Sequence, residues 1–231
     1  MKLLSSLAKV FQDEEPVYQM ECQTLSALWG ETVSFQAAYT GDFFMRERLD
    51  VEVVSPLKDY IRVRTVEQVP VGRATNGIVD DNYLRTEPGL YPDLLRDVKD
   101  GKVIVCSNQW RSLWIDIEVT KDIAPGNYEI ELRLKKEGDV VASAKQRVTV
   151  IGVELPKQKI MHTEWMHADC LADYYHVDVF SEEHWKILEN YFKEYVKRGC
   201  NMMLTPLFTS PLDTAVGFGT YNDSADKKLR W

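Results

Sequence analysis

The residues with the strongest claim to chemistry lie between positions 162 and 176, where His162, Glu164, His167, Asp169, Cys170 and His176 bring imidazole, carboxylate and thiol groups close together in sequence. Such a set invites a metal ion, but the spacing argues against one. A helical zinc-protease motif needs two histidines four apart on one face, whereas His162 and His167 are five apart on a segment that reads as a strand, so they point to opposite faces. His162-Thr163-Glu164 imitates the zinc-deaminase triplet, yet the Pro-Cys-x-x-Cys half of that signature is missing. No metal and no cofactor is expected. A glycine-rich phosphate loop and a Gly-x-Ser-x-Gly elbow are both absent, which disfavours nucleotide binding and serine-hydrolase chemistry. The residues best placed to bind a substrate are Trp165, His167, Asp169, Thr209 and Asp213, each at or just after a predicted strand. An indole can stack on a sugar ring while the polar groups take hydroxyls; the structural alternative is a core tryptophan with polar loop caps.

Around these residues the sequence has two periods. From Tyr18 to about Val153 the alternation is twofold: Val33, Phe35, Ala37 and Tyr39; Leu49, Val51 and Val53; Ile61, Val63 and Thr65; Leu113, Ile115, Ile117 and Val119; Tyr128, Ile130, Leu132 and Leu134. The last two runs flank Pro125-Gly126-Asn127, where the chain can reverse, and Glu137-Gly138-Asp139 offers a second reversal. Residues 72–102 read as an irregular insertion, and the N-terminus as a short helix. After Leu155-Pro156 the period changes. Lys159 to Met166 reads as a strand. Ser181-Glu182-Glu183 supplies a helix N-cap hydroxyl and first-turn acids, and Ile187, Leu188, Tyr191, Phe192, Tyr195 and Val196 make one apolar face. Lys197-Arg198-Gly199 ends that helix, and Asn201 to Thr205 reads as a second strand. The fold class is therefore mainly β: an antiparallel β-sandwich followed by a βαβ unit of the kind that begins an α/β domain.

Composition narrows the function classes. The 231 residues carry a formal net charge of −8, which repels nucleic acid and anionic lipid alike, and no apolar run approaches the length of a membrane span. Lys2 and the short apolar stretch after it imitate a secretory signal, but Lys9 interrupts it and Asp13-Glu14-Glu15 follows, so the expected location is cytoplasmic. The four cysteines are far apart, which suits free thiols. Trp29, Trp110, Trp114 and Tyr91 can form a sugar platform on the sandwich or, as the preferred reading, pack between domains; Trp114 in particular shares the polar face of its strand with Asp116 and Glu118, a face expected to be covered by the second domain.

Taken together, Trp29-Gly30-Glu31, Pro88-Gly89-Leu90-Tyr91-Pro92-Asp93, Ser112-Leu113-Trp114-Ile115, Pro125-Gly126-Asn127-Tyr128, His162-Thr163-Glu164-Trp165, Phe180-Ser181-Glu182-Glu183-His184-Trp185 and the run Pro211 to Gly217 resemble glycoside hydrolase family 123 and the related domain of unknown function 4091. The resemblance implies a sandwich over residues 1–155, and the start of an incomplete (β/α)8 catalytic barrel over 156–217. It also implies hydrolysis of a glycan, β-linked N-acetylgalactosamine in particular, in which the sugar's own acetamido oxygen attacks the anomeric carbon. The family's adjacent Asp-Glu pair is missing after Pro156; the only Asp-Glu step is Asp13-Glu14. The chain is accordingly expected to be a truncated, inactive fragment. Residues 218–231 read as an out-of-frame tail, since a one-base shift allows Glu-Arg-Thr-Thr-Thr-Gln-Leu. A non-catalytic carbohydrate-binding or structural sandwich is the alternative.

Overall fold

Ten strands build the first unit, Met1–Leu155, in the computed structural model, which describes residues 1–17, 24–42, 46–75, 77, 82–205, 208–209 and 228–229. They are β1 (Lys2–Ser5), β2 (Leu25–Trp29), β3 (Thr32–Tyr39), β4 (Glu47–Val54), β5 (Ile61–Val71), β6 (Gly89–Asp97), β7 (Lys102–Val105), β8 (Arg111–Glu118), β9 (Gly126–Lys136) and β10 (Asp139–Glu154). One sheet has the order β1-β3-β8-β5-β6 and the other β2-β10-β9-β4-β7. The alternating residues do what their period predicts. Phe35, Ala37, Leu113, Ile115 and Ile117 from the first sheet meet Leu49, Ile130, Leu132, Leu134, Val148 and Val150 from the second in one buried core. Pairing is antiparallel except between β2 and β10, which run parallel.

Three local expectations need correction. The N-terminus is strand β1 rather than a helix: Leu4 is fully buried, and Ser5 to Ala8 lie over the outer face of β3, where the Gln36 amide donates to the carbonyls of Ser5, Ser6 and Ala8. Residues 89–97 are not irregular but the edge strand β6, which tolerates Pro92 at a bulge opposite Gln68. The runs around Ile115 and Ile130 are not hairpin partners; β8 and β9 belong to different sheets, so their connection crosses the sandwich. Period two shows that both bury a face in the same core, and it is silent about who pairs with whom. The true hairpin is β9–β10, where Glu137 (φ 52°) and Gly138 (φ 96°) make the two-residue turn that a right-handed strand twist favours.

The second unit, Pro156–Trp231, contains β11 (Thr163–Trp165), α1 (Ala168–Tyr175), α2 (Glu182–Lys197), β12 (Met202–Leu204), β13 (Phe208–Thr209) and β14 (Lys228–Leu229). β11 and β12 pair in parallel, Thr163 opposite Met202 and Trp165 opposite Leu204, which makes the expected βαβ unit. The Asn201 side chain adds rungs before β12, accepting from the His162 N–H and donating to the Ile160 carbonyl. α2 begins as its sequence predicts: the Ser181 hydroxyl accepts the His184 N–H at 3.2 Å, and Gly199 takes the left-handed conformation (φ 85°) past its end. Helix α1 was not legible, and the first strand is shorter than the Lys159–Met166 span predicted.

Candidate functional site

The ends of the parallel strands sort the chemistry-bearing residues into two groups. His162 and Cys200 come just before β11 and β12, at their N-terminal ends; Trp165 ends β11, and His167 and Asp169 follow it at the C-terminal end. In βα architectures the C-terminal ends carry substrate-binding groups. The expectation that His162 and His167 sit on one strand and face opposite ways is replaced by a different arrangement: β11 lies between them, with His162 before it and His167 at the N-cap of α1.

At the C-terminal end, backbone continuity fixes three residues in different environments. Trp165 is 75% exposed. Met166 is buried, its N–H donating to the Leu204 carbonyl at 3.0 Å, so the chain stays in register one residue past the strand. His167 is the N-cap of α1, and its side chain makes no capping bond. Asp169 then falls in the first helical turn, where a carboxylate is favoured by the helix dipole. It is only 3% exposed, and neither carboxylate oxygen has a hydrogen-bond partner among the described residues. Burying an unpaired carboxylate is costly, which makes Asp169 a candidate to receive a donor. Thr209 lies in β13, and Asp213 lies outside the described residues.

The support beneath this end comes from a residue the sequence reading passed over. His184, completely buried in the first turn of α2, accepts the Phe180 N–H at Nδ1 (2.8 Å) and donates from Nε2 to the Ala168 carbonyl (2.8 Å). A ring that accepts at one nitrogen and donates at the other is the neutral Nε2–H tautomer. It therefore ties the start of α2 to the start of α1, next to Asp169. Phe180 stacks on both His184 and Trp185 and holds a positive φ of 61°. The Ser181 cap was a usable signal for α2, but no pattern distinguishes a buried histidine from an exposed one three residues into a helix.

Two groups of ligand atoms could approach a cation. Those of His167, Asp169 and Cys170 all lie within 4.8 Å of one another, as do those of His162, Glu164 and Cys200. Burial, with Asp169 and Asp173 adding to it, pushes the Cys170 thiol above its ordinary pKa, which favours the protonated form that ligates poorly. In the second group His162 already contacts Glu164 at 3.3 Å and the Cys200 sulfur at 3.9 Å.

Elsewhere the candidate residues have structural partners. The Asp13-Glu14 pair is engaged by Arg85, which contacts Asp13 at 2.7 Å and Glu14 at 3.1 Å and lies over the Phe11 ring. This Asp-Glu step is an ion-paired clamp within the sandwich. Trp29 donates to the Ile123 carbonyl, Trp114 donates to Asp116, and Trp110 packs against the small Leu4, Ala8 and Val10 cluster. Asp116 also accepts from Ser34 and pairs with Arg64, so the polar face around Trp114 is satisfied inside its own sheet.

Residues 165–226 match the glycoside hydrolase 123 catalytic domain, beginning at the exposed tryptophan that ends β11. That segment is similar to glycoside hydrolase family 123. Among solved structures it is similar to a family 123 glycoside hydrolase from Clostridium perfringens, studied for glycolipid glycan hydrolysis, at 18% identity and a TM-score of 0.68. That likeness covers 90% of this chain and 38% of the other, so the chain spans well under half the length of the enzyme it matches. The N-terminal domain of PorA aligns over 63% of this chain and 98% of its own at 9% identity, with a TM-score of 0.29 that carries no weight for the fold. No curated protein matches the sequence. Among the described residues no helix is long and apolar enough to cross a membrane.

Proposed function

We propose that the chain is the N-terminal part of a glycan-hydrolysing protein: a β-sandwich over 1–155, and over 156–217 the first βαβ step of a (β/α)8 catalytic barrel. The observation that carries this reading is the family match starting at Trp165, where a barrel would place its binding residues. In the whole protein, Trp165 stacks on a sugar ring while His167 and Asp169 take its hydroxyls. Asp169 is suited to that role because its buried oxygens accept nothing from the described residues. Thr209 and Asp213 belong to the same proposed set, after β12. The substrate is a glycan, and the favoured linkage is a β-N-acetylgalactosaminide cleaved with help from its own acetamido group. That chemistry needs one carboxylate to orient the acetamido and one acid to protonate the leaving oxygen. The one Asp-Glu step, Asp13-Glu14, is ion-paired to Arg85, which supports the reading that this chain alone is inactive. A cytoplasmic location accords with four cysteines spaced far apart in the sequence.

The experiment compares this chain with the product of the same gene read one base out of frame after Gly217, using an aryl β-N-acetylgalactosaminide. The expected outcome is no hydrolysis by the first and hydrolysis by the second. Turnover by the 231-residue chain itself would contradict the reading. The nucleotide sequence tests the frame separately, because the family match extends to residue 226, into the 218–231 tail.

One observation favours the second reading, a carbohydrate-binding sandwich. A cleft of about 520 Å³ beside β5 and β6 is lined by Phe11, Tyr83 and Tyr91, with Lys9, Asn82, Arg85 and Asp93 as polar groups. Aromatic walls with a few polar groups suit a sugar. Glycan-array binding that is lost in Tyr83→Ala would move the function to this cleft.

A further inference from the structure

The inner face of the first sheet changes character at one end. Along β3, β5 and β8 the core register runs through Phe35 and Ala37, Ile61 and Val63, and Ile115 and Leu113. It then continues, without a change of face, to Tyr39, Thr65, Glu67 and Arg111. On β6 the register partner of Thr65 is Arg96. Packing alone would put apolar side chains at these positions, and polar residues in a core register mark places where something other than packing set the choice.

These residues line a cleft of about 240 Å³ together with Arg48, Asp97, Lys99 and Lys102, so Arg48, Arg96, Lys99, Lys102 and Arg111 face only Glu67 and Asp97. That is a local excess of positive charge in a chain whose net charge is −8. Part of it is spoken for. Lys102 pairs with Asp50 at 2.6 Å, Asp97 pairs with Arg62 at 2.8 Å, and Glu67 accepts the Thr65 hydroxyl at 2.7 Å. Arg48, Arg96, Lys99 and Arg111 have no ion pair among the described residues, and the Nε of Arg111 is buried without a hydrogen-bond partner. Tyr39, whose pKa burial drives upward, remains a neutral hydroxyl, and among the described residues its hydroxyl makes one long hydrogen bond, 3.5 Å to the Ile104 carbonyl.

Gathering unpaired cations in one cleft is unfavourable unless an anion joins them, and a guanidinium offers the forked donors that fit an oxyanion. We propose that this cleft binds an oxyanion: the sulfate, phosphate or carboxylate group of a small ligand. Arg111 is the inner anchor, Arg48, Arg96 and Lys99 supply charge at the mouth, and the Tyr39 hydroxyl is a further donor. The site is independent of the carbohydrate chemistry assigned to the strand ends of the second unit.

The test uses the full chain and sodium sulfate in isothermal titration, with sodium chloride at matched ionic strength as the reference. The expected result is saturable one-site sulfate binding. It weakens at least tenfold in Arg111→Met and in the double variant Arg48→Gln, Lys99→Gln, whose exposed positions leave folding intact and decide the matter if Arg111→Met does not fold. Sulfate indistinguishable from chloride, or a double variant that binds like the parent, would overturn the proposal. A sulfated monosaccharide that binds more tightly than inorganic sulfate identifies a sugar ester as the ligand; equal binding identifies the free ion.

Discussion

The two units bury their apolar residues with very different success. In the sandwich, two sheets close on each other, and Phe35, Leu113, Ile115, Ile117, Ile130 and Leu132 are all completely hidden. In the second unit the buried cluster is Met166, Ala168 and Leu188, with Leu171, Phe180, Phe192, Tyr195 and Met203 partly covered around it. Ile160, Met161, Trp165 and Val196 are each at least 70% exposed. The difference follows from strand direction. An antiparallel sandwich covers each sheet's inner face with the other sheet, whereas a parallel pair of three-residue strands has two open edges and needs helices on both faces. The sandwich is therefore expected to stand as its own cooperative unit, and the βαβ unit to be much less stable.

Matched core truncations should separate the two most strongly. Ile115→Ala removes a fully buried side chain from the sandwich and is expected to cost about 2–5 kcal/mol, lowering the main thermal transition. Leu188→Ala deletes an equally buried side chain from the second unit. It should abolish much of the α-helical circular dichroism while leaving that main transition in place. A common loss of both signals in both variants would erase the distinction.

His184→Ala should be nearly as damaging to the second unit. The change strands the Phe180 N–H and the Ala168 carbonyl, each unsatisfied group costing roughly 1–3 kcal/mol. The expected readout is collapse of the NMR shifts of α1 together with those of α2, with β8 unmoved.

The smallest effect is a pH dependence confined to the sandwich. The Arg85 guanidinium beside Asp13 holds that carboxyl below its ordinary pKa. A depressed folded-state pKa contributes stability that is present above the unfolded value of about 3.9 and is lost as pH falls through the folded value. Acidification below pH ~4 should thus release Arg85 from Phe11 without unfolding β8. Ring-current shifts of Phe11 and Tyr91 follow it, and no change between pH 5 and 2 would remove the clamp.

How much of this was legible depended on whether a pattern had a single physical cause. The alternation at Val33–Tyr39 and Leu113–Val119 reports one buried face, and strands β3 and β8 followed. Ser181, the first-turn acids and Gly199 report the two ends of α2, and those also followed. Strand β1 is four residues long and held by contacts to Gln36 far away in sequence, so nothing local revealed it. Strand β6 carries Pro92 and lies at an edge, where neither face is fully buried and alternation fades. Helix α1 has eight residues and no side-chain cap. At the site, the order of elements was enough to group Trp165, His167 and Asp169 after one strand. The depth of Asp169 and the bracing by His184 are tertiary facts, created only when α1 and α2 pack.

Amide hydrogen exchange on the intact chain tests the central claim directly, by comparing β8 with α2 under native conditions. The account predicts that Arg111–Glu118 exchanges only through global unfolding of the sandwich, while Glu182–Lys197 exchanges far faster through a separate opening. Equal protection of the two segments, rising and falling together with denaturant, would show one cooperative molecule and contradict it.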